Sequence, residues 1–257
     1  MMSNHKDTQT HRRAACFVLY LSLCLWVSVG TTHAQSRATQ TIDQMIDALG
    51  GQTFLDVDDI QMSGRLFAFT RGELSGVDTF VDYIKFPDME RTEFGTKNKA
   101  IRVNRGKEGW QVEGKKDPAE QTPGEVEEFI KGFKTSFEYV LRFSIQERQT
   151  TIQNLPTEII QFKRTDVVEL RDPAKNRIRF YIDRETRLPV KMQVRRSDDS
   201  KLREEEYANW HKFQGVMTPL FVSRYTDGVK TMEIRAETVV YNSSLADKLF
   251  TELTPAK

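Results

Sequence analysis

Cysteine and histidine are scarce in this 257-residue chain, and their positions make them scarcer still. Cys16 and Cys24, together with His5, His11 and His33, all lie in the first 34 residues, a segment that reads as a secretory leader. Lys6, Arg12 and Arg13 precede an apolar run over 14–30, and the small-residue stretch TTHA leads to Gln35. The run falls short of the roughly 20 residues of a comfortable membrane span and no stop-transfer pattern follows, so cleavage after Ala34 is expected, with an uncleaved anchor as the alternative. The bulky Leu23 before Cys24 argues against lipid attachment there.

Removal of residues 1–34 leaves no cysteine and one histidine, His211. That excludes disulfides, a Cys/His dyad and a His-pair zinc site, and no metal or cofactor is implied. The formal charge moves from +1 to about −1, without the basic footprint that nucleic acid requires. G-x-S-x-G, H-E-x-x-H and phosphate-loop patterns are missing too. The best remaining catalytic grouping is Tyr207, Asn209 and His211 on one strand face beside Glu204, Glu205 and Glu206, and a lone histidine is more often a surface residue. The expectation is a binding protein, not an enzyme.

What is present is β-pattern interrupted by one helix. After a short helix over 41–49 closed by Gly50-Gly51, the segments 59–70 and 76–87 read as a hairpin, and MERTEFG, AIRVNRG and GWQVEG as shorter strands of the same meander. From 157 to 241 strands resume, with turns at 171–173, 184–186, 197–199 and 227–228. Looping residues 183–187 pairs Ile182 with Leu188, Phe180 with Val190 and Ile178 with Met192, leaving Arg177, Arg179, Lys191 and Arg195 on a wet, basic face. A two-residue turn at Asp227-Gly228 pairs Phe221 with Ile234, Ser223 with Met232 and Met217 with Thr238, with Arg224, Glu233, Arg235 and Glu237 outside. The strand around 204–210 gives no consistent faces. One domain over 35–257 is expected.

The stretch QTPGEVEEFIKGFKTSFEYVLRF predicts one helix over 122–143. Thr122 is placed as N-cap, Pro123 at the first turn and Glu125 to complete a capping box. Val126, Phe129, Ile130, Phe133, Phe137, Val140 and Leu141 form its apolar stripe. A sheet with one apolar face and a helix with one apolar stripe bury each other, giving an α+β fold: a curved antiparallel sheet, an incomplete barrel, with helices over its concave face. Phe129, Phe133 and Phe137 are then either ordinary core or the movable lid of an apolar cavity.

Residues 86–111, FPDMERTEFGTKNKAIRVNRGKEGWQ, carry Pro87, Arg91, Gly106 and Trp110 in a pattern that resembles the lipoprotein-localisation (LolA/LolB-like) superfamily. DALGGQTFLDVDDIQMSGRL, YIDRETRLPVKMQV and YANWHKFQGVMTPLFVSRYTDGVKTMEIR extend the resemblance over most of 41–250. It implies a half-barrel holding lipids or lipoprotein acyl chains, a periplasmic location and transient membrane contact. Arg65 and Arg91 are the candidates for the arginine that latches the family's lid. The cavity is expected to be lined by Leu66, Phe129, Phe133, Phe137, Phe180, Met192, Met217 and Phe221. The alternative is an envelope sensor or protein-interaction module that meets envelope proteins through a strand edge or the basic face.

Overall fold

A computed structural model describes residues 27–96 and 100–251, with side chains placed from residue 37 onward. Most of the leader lies outside the described residues. Helix α1 spans Val27–Leu49, longer than the 41–49 expected, and α2 follows as Gln52–Leu55. The sheet begins with β1 Asp59–Thr70 and β2 Glu73–Lys85, then β3 Met89–Phe94, β4 Ala100–Arg105, β5 Glu108–Glu113 and β6 Ala119–Glu120. Two helices intervene, α3 Pro123–Lys134 and α4 Phe137–Arg142. The second run is β7 Thr151–Ile160, β8 Lys163–Arg171, β9 Arg177–Asp183, β10 Pro189–Arg195, β11 Leu202–Phe213, β12 Val216–Thr226 and β13 Val229–Tyr241.

The 13 strands form one antiparallel sheet in the order β6-β5-β4-β3-β2-β1-β13-β12-β11-β10-β9-β8-β7. Every neighbouring pair but one is consecutive in the chain, and the exception, β1 with β13, zips the two meanders together. Gly64 is needed at that seam, because a Cβ there would sit 2.1 Å from the Arg235 carbonyl oxygen. The sheet does not close. Its two edges, β6 and β7, are joined in sequence by the segment that carries α3 and α4.

The main core lies on the concave face of the second meander. Ile42, Met45 and Leu49 of α1, Phe54 of α2 and Phe137, Val140 and Leu141 of α4 pack against Leu170, Ile178, Phe180, Ile182, Met192 and Tyr207. Each such side chain contributes about 1.5–3 kcal/mol by leaving water. In the first meander the order is inverted: Ile101 and Val103 turn their side chains to the opposite face, where Leu245, Leu249 and Phe250 of the C-terminal segment cover them. The concave face of β2–β5 is therefore left to the residues between, many of them polar.

Four sequence expectations are corrected. The single helix over 122–143 is two, because the Thr135 hydroxyl bonds back to Lys131 O at 2.8 Å and Ser136 caps a fresh helix by accepting from the Tyr139 amide. The Thr122/Pro123/Glu125 start is as expected, with both halves of the capping box formed. At the β9–β10 hairpin Ile182 pairs with Pro189 instead of Leu188 and a bulge between Pro189 and Lys191 adds one more residue, so the register is off by two: Met192 faces Phe180 and Val194 faces Ile178. The bulged Val190 packs with Val167 and Tyr181 in a separate cluster. The supposed basic face also carries Glu169, bonded to Arg179 at 2.6 Å, and Glu204, paired with Lys191. At the β12–β13 hairpin a bulge between Arg224 and Tyr225 moves the register by one. Val222 then faces Ile234 and Arg224 faces Met232, so Phe221 points outward and Arg224 inward, the reverse of the expectation. Finally, Asn209 at φ 57° is left out of the β11–β12 ladder, which puts Tyr207 and Trp210 on the same side and explains why that strand defied a period of two.

Candidate functional site

Between the concave face and α3 lies a cavity of about 750 Å³, within the size range of small-molecule sites. Its apolar wall is built from three directions: Met62 and Leu66 on β1, Met192 on β10 with Val222 and Ile234 on β12 and β13, and Phe129, Phe133 and Phe137 on the helices. Helix α3 can present Phe129 and Phe133 because its capping box fixes the first turn; Glu127, Lys131 and Lys134 face away, while Glu125 and Glu128 border the cavity. The two ring centroids lie 5.5 Å apart with the rings tilted by 42°, and Phe133 continues to Phe86 at 5.9 Å. Phe137 is anchored more deeply, within 5.3 Å of the Tyr207 ring and 6.4 Å of Phe180.

Of the eight expected lining residues, Leu66, Phe129, Phe133, Phe137 and Met192 border this cavity. Phe180 is wholly buried beneath it in the main core, Met217 packs against that core, and Phe221 is 43% exposed on the outer face with Arg235 over its ring. Neither candidate latch arginine reaches the cavity. Arg65 is an exposed partner of Glu237 on the outer face, whereas Arg91 is fully buried there, donating to Glu93 at 2.8 Å and to Leu249 O at 3.1 Å. Sequence parity could have placed Arg91, since it shares its strand face with Glu93 and not with Thr92.

The arginines that do hold α3 lie at the β10–β11 turn. Arg196 donates to Glu128 at 2.5 Å, Arg203 approaches the same carboxylate at 3.7 Å, and Lys131 meets Asp198 at 2.5 Å. Lys131 holds the Asp198 carboxyl below the usual range, and Arg203 does the same for Asp199. Gly132 faces the Arg196 guanidinium, which a Cβ there would meet at 3.5 Å, an ordinary van der Waals contact. Below the cavity, Arg142 pins α4 by donating to Phe54 O at 2.9 Å, its guanidinium 4.1 Å above the Phe54 ring.

The opposite wall is polar, and the sequence reading missed it. Asp82 and Glu90 extend from adjacent strands onto the same concave surface, with Asp82 paired to Thr92 and Glu90 to Ile84. The Thr92 hydroxyl donates to Asp82 at 2.8 Å. Burial pushes the Asp82 carboxyl up to about 6, against the pull of Thr92 and Arg224. Burial and the neighbouring Asp82 push Glu90 up to about 8. Across the cavity Arg224 donates through Nε to Glu205 at 2.7 Å, and the Tyr207 hydroxyl donates to the other oxygen of Glu205 at 2.8 Å. Burial, then Glu205, raises the Tyr207 phenol well above its ordinary value. The only signal in the sequence was parity: Asp82 alternates with Phe80 and Ile84, both cavity-facing.

The supposed catalytic grouping is split by the backbone irregularity at Asn209. Tyr207 is buried against Phe137, while His211 is exposed with its ring nitrogen 3.0 Å from Asn209 Oδ1.

No family model and no curated protein matches the chain. Solved structures do match in fold. A LolA superfamily protein from Nitrosomonas europaea superposes with a TM-score of 0.56 at 13% identity, covering 83% of this chain and 97% of that one. A DUF1329 family protein from Desulfovibrio piger gives 0.54 at 13% identity, with 83% and 96% covered. A domain assigned to outer membrane lipoprotein sorting, from Vibrio parahaemolyticus, gives 0.53 at 12% identity, with 84% and 97% covered. The likeness to the lipoprotein-localisation superfamily read from residues 86–111 thus extends to the fold, at an identity too low to transfer an activity.

Proposed function

We propose that this chain is a non-catalytic carrier of the cell envelope that holds the acyl chain of a lipid or lipoprotein between sheet and helix. The observation that carries this reading is the 750 Å³ cavity, with a wall of phenylalanine and methionine, beneath a helix held to the β10–β11 turn by ion pairs. An acyl chain gains about 25 cal/mol per Å² of apolar surface buried there and needs no directed polar contacts along its length. Helix α3 acts as the lid: breaking the Glu128–Arg196 and Lys131–Asp198 contacts frees its polar side without disturbing the core under α4. Residues 1–34 direct export to the periplasm and residues 35–257 form the functional domain. Leu66, Phe129, Phe133, Phe137 and Met192 are the chain-contacting residues.

The test is to express residues 35–257 in a bacterial host, extract the purified protein with organic solvent and identify released lipid by mass spectrometry. A stoichiometric acyl lipid supports the carrier; protein that is lipid-free and takes up none from vesicles overturns it. The sensor reading has an observation of its own in the β7–β8 hairpin, where Ile159 and Phe162 stand in solvent at the sheet edge. Specific capture of an envelope protein, abolished by Phe162→Ser and unaffected by cavity substitutions, is the result that favours it.

A further inference from the structure

A cavity meant only for hydrocarbon has no use for ionisable groups, yet this one places two carboxyls side by side on β2 and β3. Asp82 and Glu90 are diagonal neighbours on one sheet face, close enough to share a hydrogen bond. We infer that occupation of this cavity by an acyl chain is coupled to protonation of the Asp82–Glu90 pair, and that the cavity prefers a chain bearing an uncharged carbonyl to one ending in an anion. This rests on the carrier reading and names the specificity and control of the same site.

The surroundings of the pair favour neutrality over rescue by a counter-charge. From β12, Arg224 faces the two carboxyls, but its Nε is committed to Glu205 of β11, to which Tyr207 also donates. From β4, Arg102 borders the cavity opposite Thr92; from α3 come Glu125 and Glu128, and from α4 Glu138. Arg196, Arg203 and Glu204 complete the charged lining at the β10–β11 end, while β1 and β13 contribute uncharged residues such as Met62, Leu66 and Ile234. With Asp82 and Glu90 neutral, five carboxylates and four guanidiniums remain in this lining, so no surplus of positive charge is there to receive an anionic head.

Water in the empty cavity hydrates the pair, and an entering chain displaces it. Loss of hydration disfavours the ionised forms further, so each ionised carboxyl must take up a proton as the chain enters. By linkage, chain affinity then falls about tenfold per pH unit for each proton taken up. Burial raises the empty pair to about 6 and about 8, so the fall begins near pH 6 and steepens above about pH 8. Once protonated, Glu90 has a hydroxyl to donate to a carbonyl oxygen, a contact available to an ester or amide.

The test is displacement of a neutral naphthylamine dye from the purified chain by methyl decanoate or by decyl sulfate, which stays ionised throughout. Wild type and the Asp82→Asn/Glu90→Gln double variant are compared at about pH 6 and about pH 9, with Glu90→Gln alone used should the double variant not fold. The expected result is wild-type ester affinity at least tenfold higher at the lower pH, equal ester affinity at both pH values in the variant, and decyl sulfate at least tenfold weaker than the ester. Ester binding that ignores pH in the wild type, or falls equally in the variant, overturns the proton coupling and leaves the carrier standing. Decyl sulfate competing as well as the ester overturns the neutral-head preference. Failure of dye and ester to bind at either pH overturns the carrier reading itself.

Discussion

Glu90 makes the stability of the empty protein depend on pH in a direction opposite to that of most carboxylates. An ion-paired surface carboxyl is more acidic in the fold than in the unfolded chain and stabilises the protein above its unfolded value. Glu90 is less acidic in the fold, raised from 4.5 to about 8, and Asp82 is raised from 3.8 to about 6. Between the unfolded and folded values the native state binds more protons, so stability falls as pH rises. The contribution is complete below about pH 4, declines through neutrality and is exhausted above about pH 8. For Glu90 the gap from 4.5 to about 8 corresponds to an upper limit of roughly 4–5 kcal/mol at about 1.4 kcal/mol per pH unit. The cavity admits water, so about 2 kcal/mol is the expected size. Urea melts of wild type and Glu90→Gln across a pH series read this directly: the variant equals the wild type at about pH 4 and is more stable by about 2 kcal/mol at about pH 9. A difference between the two that does not change with pH refutes the reasoning, because the amide would then be removing something other than a misplaced charge.

Phe137→Ala leaves a hole where Phe54, Phe180 and Tyr207 converge and is expected to destabilise by about 3–5 kcal/mol, whereas Phe129→Ala, beside space already empty, costs about 1–2 kcal/mol; thermal melts of both rank them. Arg196→Ala removes the near-buried partner of Glu128, worth about 1.5 kcal/mol as a charge-assisted bond, and speeds hydrogen exchange in α3 about tenfold while amides of β8 and β9 are unchanged. Phe221→Ser, outside the cavity by virtue of the β12 bulge, changes stability by less than about 1 kcal/mol and leaves dye binding intact; loss of binding would mean that the strand faces are misassigned.

The elements were more legible than their faces. Turn chemistry at 171–173, 184–186, 197–199 and 227–228 fixes where strands end, and the Thr122-Pro123-Gly124-Glu125 start fixes where α3 begins, because these are local backbone preferences. Which residues share a wall was not local. Single-residue irregularities at Val190, Asn209 and the Arg224/Tyr225 step each alter the alternation, and only Asn209, of a residue type that tolerates the left-handed region, carries any signal of one. Phe221 was assigned to the cavity and Arg224 to solvent for one reason: a regular hairpin counted back from Asp227-Gly228 gives that answer. The break between α3 and α4 was closer to readable, since Thr135-Ser136 is a pair that competes for backbone hydrogen bonds.

The polar wall follows from what covers the other side of the sheet. Strands β3 and β4 must bury one face, and Ile101 and Val103 do so beneath Leu249 and Phe250, with Arg91 tying the C-terminal segment down through Leu249 O. Alternation then commits Glu90, Thr92, Arg102 and Asn104 to the concave face, where the second meander, covered by α1 and α4, has its apolar side. The zipper at β1–β13 sets these two opposite polarities facing one another across a single space. A cavity that is greasy on one wall and ionisable on the other is thus a consequence of two half-sheets packing their cores on opposite sides, and removal of the C-terminal cover should unfold β3–β5, and with them the polar wall, before it alters the apolar wall.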